Sequence, residues 1–391
     1  MSLAPSGLAF EFATAGRIVF GRGTSAQSAS AARALGKRAL VVVGRDTTRH
    51  TARFELFRQA GLTVEILSVP GEPTVELVRE GTRLAREGQA DVVVGIGGGS
   101  ALDAAKAVAI LATAPGDALD YLEVVGAGKN LERPGIPMIA IPTTAGTGAE
   151  VTRNSVLASP DHGVKVSLRS PHLLPRLAII DPDLSSEMAA DLTARVGCDA
   201  ITQLIEPFVS MRAHPLTDAI CREGLRLAAP ALPAVFRHGS DSDAREAMAA
   251  AALLSGLALA NAGLGVVHGL AGPIGGVIPA PHGSICAALL PIGMEVNLRT
   301  LRQRMPGSDA LRRFEELGPL LTGRRSATAD DAVGWVASLV ADLGIPRLSA
   351  FGLSGQMLPM VVQRASVASS TRTNPIVLSE GELTEIVERA L

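Results

Sequence analysis

Aromatic side chains are scarce in this 391-residue chain, at 3%, with one Trp and one Tyr. That excludes a surface of stacked aromatic platforms for single-stranded nucleic acid and leaves the core to Ala, Leu, Val and Ile. Excess charge of either sign is absent too: 36 Lys and Arg face 38 Asp and Glu, a net charge of −2. Neither a nucleic acid nor an anionic membrane is therefore an expected partner. Cysteine is sparse. Cys198, Cys221 and Cys286 stand far apart with no Cys-x-x-Cys spacing, which disfavours a disulfide framework or a zinc ribbon and fits a reducing cytoplasm. The opening stretch MSLAPSGLAFEFATAGR lacks the basic and apolar blocks of a secretory leader.

Charge is also missing locally. From Ala247 to Met294, 48 residues pass without Asp, Glu, Lys or Arg. The segment AMAAAALLSGLALANAGLGVV has the length of a membrane span. It is rich in Ala rather than Leu or Phe, holds Ser255 and Asn261, and has no basic flank or aromatic belt. It is expected to be a helix buried on all sides of a globular protein, not a membrane span.

What the chain does have is apolar residues, 47% of the total, enough for a large core. In the first half, short Val- and Ile-rich runs alternate with helical patterns. RIVFGRG (17–23), RALVVVG (38–44), LTVEILSV (62–69), ADVVVGIG (90–97), IPMIAIP (136–142) and LAIIDP (177–182) are the expected strands. TRHTARFELFRQAG, TVELVREGTRLAREG and SALDAAKAVAILAT read as helices between them. Such alternation predicts βαβ units and a parallel sheet covered on both faces. After Asp181 the pattern turns helical, with Ser185 or Ser186 as a candidate N-cap and Glu187 in the first turn. Two domains are expected: residues 1–185, an α/β dinucleotide-binding domain, and residues 186–391, an all-α domain. A ligand is expected in the cleft between them.

Three motifs carry chemistry. In ADVVVGIGGGSALDAAKAVA, a strand runs through Gly97, Gly98, Gly99 and Ser100 into a helix. Such a turn lets backbone N–H groups reach a phosphate, and the helix N-terminus adds its dipole. It is not a clean G-x-G-x-x-G, and a structural βα turn is the alternative. In IPTTAGTGAEVT, the hydroxyls of Thr143, Thr144 and Thr147 suit phosphate or ribose, against the alternative of an ordinary polar loop. Asp199 and Gln203 are spaced i, i+4 on one helix face, and His268 and His282 fall in the uncharged stretch. Carboxylate and imidazole together suit a divalent ion such as Fe2+ or Zn2+, although each His alone reads as an ordinary core histidine.

Taken in order, FATAGRIVFGRGT, GGGSALDAAKA, IPTTAGTGAEVT, GCDAITQLIEPFVS, NAGLGVVHGLAGPIGG and PAPHGS resemble the iron-containing (group III) alcohol dehydrogenase family over nearly the whole chain. The resemblance implies an N-terminal nucleotide domain, a helical metal-binding domain, and an NAD(P)-dependent dehydrogenase acting on a small primary alcohol or aldehyde. It places Gly97, Gly98, Gly99 and Ser100 on the cofactor pyrophosphate, with Asp103 in the same motif. It places Thr143, Thr144 and Thr147 along phosphates and ribose, and Asn154 and Lys165 near the nicotinamide. Asp199, His268 and His282 match three of the family's four metal ligands and are the expected catalytic group. A homodimer is expected.

Three departures stand out. The fourth ligand, a His in metal-dependent members, is here Gln203, whose amide oxygen binds a divalent ion less strongly. Weak binding, another ion or no metal therefore all stay open. A second His that many members carry four residues after the first is here Gly272, so any proton relay uses another route. The acid that often ends the first nucleotide strand in NAD-preferring members is here Gly44, followed by Arg45. Loss of that carboxylate removes repulsion of a 2′-phosphate, so either NAD or NADP is expected, unless Asp46 takes the ribose. The rival readings are a metal-independent reductase like maleylacetate reductase, favoured by Gln203 and disfavoured by Asp103, and a lyase like dehydroquinate synthase, disfavoured by the uncharged stretch.

Overall fold

The computed structural model describes residues 9–123, 125–160 and 164–391. The first eight residues of the segment expected to carry no leader lie outside them. The first half builds strands β1 (Ile18–Phe20), β2 (Arg38–Gly44), β3 (Thr63–Val69), β4 (Val92–Gly97), β5 (Met138–Pro142), β6 (Asn154–Ser159), β7 (Val164–Arg169) and β8 (Leu177–Ile180). Helices α1 (Ser28–Leu35), α2 (Thr51–Gln59), α3 (Val75–Glu87) and α4 (Gly99–Leu111) alternate with the early strands. Six of the strands form a parallel sheet in the order β1-β8-β5-β4-β2-β3.

The pleat sorts each strand's side chains to two cores. Leu40 and Val42 of β2 pack on one face with Val78 of α3 and Leu102 and Val108 of α4. Ala39, Val41 and Val43 pack on the other with Ala32 of α1 and Phe54 and Phe57 of α2. Continuous apolar strands are what a sheet buried on both faces demands. From β2 the chain steps outward to β3, then crosses back to β4 and runs the other way to β5 and β8. The order therefore reverses between β2 and β4, and a ligand crevice opens at such a switch, outside the carboxyl ends of the strands.

β6 and β7 form an antiparallel hairpin that the sequence reading leaves out. β7 alternates Val164, Val166 and Leu168 with Lys165, Ser167 and Arg169, the period of a strand with one buried face, whereas β6 buries Ser155, Leu157 and Ser159 and turns Val156 outward.

The second half is helical: α5 (Ala190–Val209), α6 (Pro215–Arg237), α7 (Ser242–Ala262), α8 (Val266–Gly275), α9 (His282–Arg304), α10 (Asp309–Thr322), α11 (Ala329–Asp342), α12 (Leu358–Ser366) and α13 (Glu380–Ala390). The expected cap at Ser185 or Ser186 does not form. Those hydroxyls bond Pro182 and Asp183 carbonyls in a short 3-10 turn, and α5 starts at Ala190. The uncharged stretch splits at residues 263–265, where α7 and α8 meet at 99°. Gly263 permits the break with φ +73°, a left-handed conformation that a side chain disfavours. Among the described residues no single helix is long and apolar enough to cross a membrane.

Candidate active site

The expected nucleotide face is built by three strand ends. Gly44 closes β2, Gly97 closes β4 and Pro142 closes β5. Gly97 has φ +156°, and a Cβ there would meet Ala101 Cβ at 2.7 Å and stand 3.5 Å from the Gly44 amide nitrogen. Gly98 is the N-cap of α4 and lends it no side-chain bond, which leaves the amide donors at this end for a ligand.

The two expected phosphate motifs meet. Thr143 N–H donates to Gly97 O at 2.9 Å. A Cβ at Gly98 would stand 3.3 Å from Thr144 Cγ2, and one at Gly99 would stand 2.9 Å from Thr147 Cγ2. Ser100 lies in the first turn of α4. The glycines are thus fitted to the threonine loop as well as to any phosphate.

At the end of β2, a Cβ at Gly44 would meet nothing within 4 Å. Arg45 is exposed, and its Nε donates to Pro70 O at 2.8 Å. Asp46 accepts from the amide and hydroxyl of Thr48, which hold its carboxyl below the usual range. That carboxylate is therefore engaged locally, and Gly44 leaves open space.

The other motif residues have defined partners. Asp103 accepts from Val156 N at 3.0 Å and pairs with the buried Lys106 at 2.9 Å. Lys106 also donates to Thr152 Oγ1 and to the Asn154 carbonyl. Asp103 thus ties α4 to β6 and has both carboxylate oxygens engaged inside the fold. Lys165 pairs with Glu72 at 2.5 Å, and its Nζ lies 3.2 Å from where a Cβ would stand on Gly275 of α8. The hairpin therefore reaches toward the helix that carries His268.

The metal-ligand candidates converge from three helices. Asp199 stands on α5, His268 in the first turn of α8, and His282 opens α9. Two glycines allow this. A Cβ at Gly283 would strike Arg195 O at 2.2 Å, so Gly283 lets α9 press its start against α5. A Cβ at Gly265 would strike Glu206 Oε1 at 2.8 Å and Asn374 Oδ1 at 2.9 Å. Those two oxygens are the caps of α8: Val266 N donates to Asn374 and Val267 N to Glu206, at 3.0 and 2.7 Å. They satisfy donors that Gly265 cannot.

Glu206 does more. Its second oxygen lies 2.6 Å from His268 Nδ1. A carboxylate only accepts, so Nδ1 carries a proton, and in the neutral imidazole it is Nε2 that presents a lone pair. His268 Nε2 lies 3.4 Å from Asp199 Oδ1, and His282 Nε2 lies 3.8 Å from the same oxygen. Asp199 Oδ1 and His268 Nε2 are buried and have no hydrogen-bond partner. Two orphaned donor atoms facing one another are the mark of a cation site.

Gln203, the expected fourth ligand, has both ends of its amide engaged. Its Nε2 donates to Asp199 Oδ2 at 2.9 Å, and its Oε1 lies 2.9 Å from Ser255 Oγ. Next to a carboxylate only the NH2 end is tolerable, so the amide oxygen turns away from the cluster. Gln203 thus anchors Asp199 by a hydrogen bond. Cys286 joins the cluster: single potential ligand atoms of Asp199, His268, His282 and Cys286 all lie within 4.8 Å of one another. Sequence spacing among cysteines hides it, but Cys286 stands four residues after His282, one turn along the same face.

The groups of the cluster shift one another's ionisation. Burial opposes ionisation of Asp199, yet His268 and His282 hold its carboxyl below the usual range. Burial opposes the charged form of His268, yet Cys286 and Glu206 raise it well above 6.5, so without a cation both ring nitrogens hold protons and Nε2–H faces Asp199 Oδ1; a cation would have to displace that proton. Burial pushes the thiol of Cys198 up to about 12, whereas His268 and His282 overcome burial at Cys286 and lower it. At Gly272, four residues after His268, a Cβ would meet nothing within 4 Å, so this face of α8 opens into free space.

Comparison with known proteins agrees with this architecture. A family model described as iron-containing alcohol dehydrogenase matches residues 15–182, and one described as its C-terminal part matches residues 193–391. The chain is 35% identical to the 1,3-propanediol dehydrogenase of Klebsiella pneumoniae, over 91% of this chain and 92% of that protein. It is 32% identical to the NAD-dependent methanol dehydrogenase of Bacillus methanolicus, over 95% and 97%. A crystal structure of 1,3-propanediol oxidoreductase superposes with a TM-score of 0.91 at 32% identity, covering 98% of this chain and all of that one (100%).

Proposed function

The chain belongs to the iron-containing alcohol dehydrogenase family and is an alcohol dehydrogenase, an oxidoreductase acting on CH–OH groups; on that premise we propose how its own residues carry the reaction. The family uses NAD(P) and a metal. The substrate is a small primary alcohol or its aldehyde, in keeping with the propanediol and methanol named for relatives.

One observation carries the assignment of the chemical centre: Asp199 Oδ1 and His268 Nε2 are buried without partners and face one another beside His282. Asp199, His268 and His282 would hold a divalent cation. When bound, such an ion polarises the alcohol oxygen, lowers its pKa and stabilises developing negative charge, while the nicotinamide exchanges hydride with the carbon. The protein's part is positional. Glu206 fixes the tautomer of His268, and Gln203 holds Asp199 through its second oxygen.

Gly97, Gly98, Gly99 and Ser100 receive the pyrophosphate at the start of α4, with Thr143, Thr144 and Thr147 as the wall behind it. Gly44 and Arg45 flank the adenosine ribose, and the absence of an acid at Gly44 admits NADP as well as NAD. Lys165 reaches from the hairpin toward α8 and, with Asn154, belongs to the nicotinamide end. The same reading takes the enzyme to be a homodimer of the reducing cytoplasm, which gel filtration and cell fractionation check.

The test is turnover. Purified protein given a panel of short aldehydes should consume NADH or NADPH steadily, with alcohol formed in equal amount. Cofactor binding without turnover on any aldehyde or alcohol, in protein loaded with a divalent ion, would overturn the reading.

A further inference from the structure

The α9 helix carries two donors on one face. His282 is its first residue, and Cys286 follows one turn later with its Sγ 3.6 Å from His282 Nε2. Cys286 is fully buried, and it faces the orphaned Asp199 Oδ1 and His268 Nε2, whose side chains are 3% and 7% exposed. The helix α5, by contrast, offers the cluster one ligand only. Gln203 spends its NH2 on Asp199 and turns its oxygen to Ser255.

We propose that the fourth ligand of this metal centre is Cys286 on α9, as a thiolate, and that Gln203 positions Asp199 instead of binding the ion. The proposal rests on the reading that Asp199, His268 and His282 hold a divalent cation, and adds to it. The donor set becomes one carboxylate oxygen, two imidazole nitrogens and one sulfur, all within 4.8 Å of one another. Sulfur with imidazole selects a borderline-soft ion such as Zn2+, which accepts Cys, His and Asp in one tetrahedral set. Binding deprotonates the thiol, and its proton leaves to solvent as the metal enters.

Full-length protein reconstituted with Co2+ tests this directly. A thiolate ligand gives a sulfur-to-cobalt charge-transfer band in the near ultraviolet that oxygen and nitrogen ligands do not. Wild type should bind one Co2+ with that band. Cys286→Ser should lose the band and bind Zn2+, in competition with a chromogenic chelator, about 100-fold more weakly, at least the upper end of what changes beyond the ligands themselves cause. In the double variant Cys286→Ala with Gln203→His, an imidazole on α5 should recover Zn2+ affinity without the band. Stoichiometric Co2+ in wild type without the band, or Zn2+ affinity unchanged in Cys286→Ser, would overturn the assignment of Cys286 and leave the other three ligands standing. Failure of wild type to take up either ion would overturn the cation reading and this proposal with it. Should Cys286→Ser not fold, the wild-type cobalt spectrum decides alone.

Discussion

Glu206 Oε2 lies 2.6 Å from His268 Nδ1, and that contact decides which nitrogen of the imidazole faces Asp199. Glu206 stands seven residues after Asp199 on the same helix, and so shares its face with both Asp199 and Gln203. One helix therefore supplies a ligand, the anchor of that ligand and the partner that orients a ligand on another helix. Glu206→Gln keeps the shape and removes the charge. It should weaken divalent-ion binding by roughly 10- to 100-fold. Chelator competition measures this, and an unchanged affinity would make Glu206 merely the cap of α8.

Cofactor choice turns on the end of β2. With open space at Gly44 and Asp46 held by Thr48, wild type should use NADPH within about tenfold of NADH in kcat/KM, a difference of less than about 1.4 kcal/mol. Gly44→Asp should fold normally, because its Cβ meets nothing, and should depress NADPH use by repelling the 2′-phosphate. A wild type that prefers NADH a thousandfold would contradict this.

The glycine turn is tested by size. A Cβ at Gly98 already stands 3.3 Å from Thr144, and the branches of valine would enter the space in front of α4. Gly98→Val should weaken NADH binding at least about tenfold in fluorescence titration, the loss of ~1.4 kcal/mol. Unchanged binding would take the turn out of the cofactor site.

Glu150 gives a pH signature. It is 3% exposed, and burial raises its carboxyl to about 7. Its folded-state value thus exceeds the unfolded one, so the folded protein holds the proton longer. Stability should fall as pH rises from about 4.5 to about 7 and then level off, by up to ~3 kcal/mol from this group. Glu150→Gln should remove that slope, and its melting temperature should exceed that of wild type at pH 8 by more than at pH 5. Parallel pH profiles for the two proteins would contradict it.

The sheet was legible because its strands are buried on both faces and so read as unbroken apolar runs. Val92–Gly97 followed at once by Gly98 and a helix is such a case. The helical centre was legible only in part. His268 and His282 stood out against an uncharged background, but their meeting with Asp199 depends on close approaches at Gly265 and Gly283 that no local pattern reveals. Gln203 reads in the sequence as a weak ligand, and only the fold shows its NH2 donating to the carboxylate beside it. Cys286 was weighed against other cysteines rather than against His282, whose partner it is. The β6–β7 hairpin is hard to read because Ser155 and Ser159 interrupt its buried face and Val156 points outward.

Asp199, His268 and His282 are proposed together to hold a catalytic divalent ion. The most direct measurement is metal content by mass spectrometry alongside aldehyde reduction, on wild type and His268→Ala, before and after chelation. Wild type is predicted to hold up to one ion per chain, to lose activity with the ion, and to regain both on adding Zn2+ or Fe2+. His268→Ala is predicted to have neither ion nor activity while still binding NADH. Full activity in chelated, metal-free wild type, or metal and activity both retained in His268→Ala, would contradict the account.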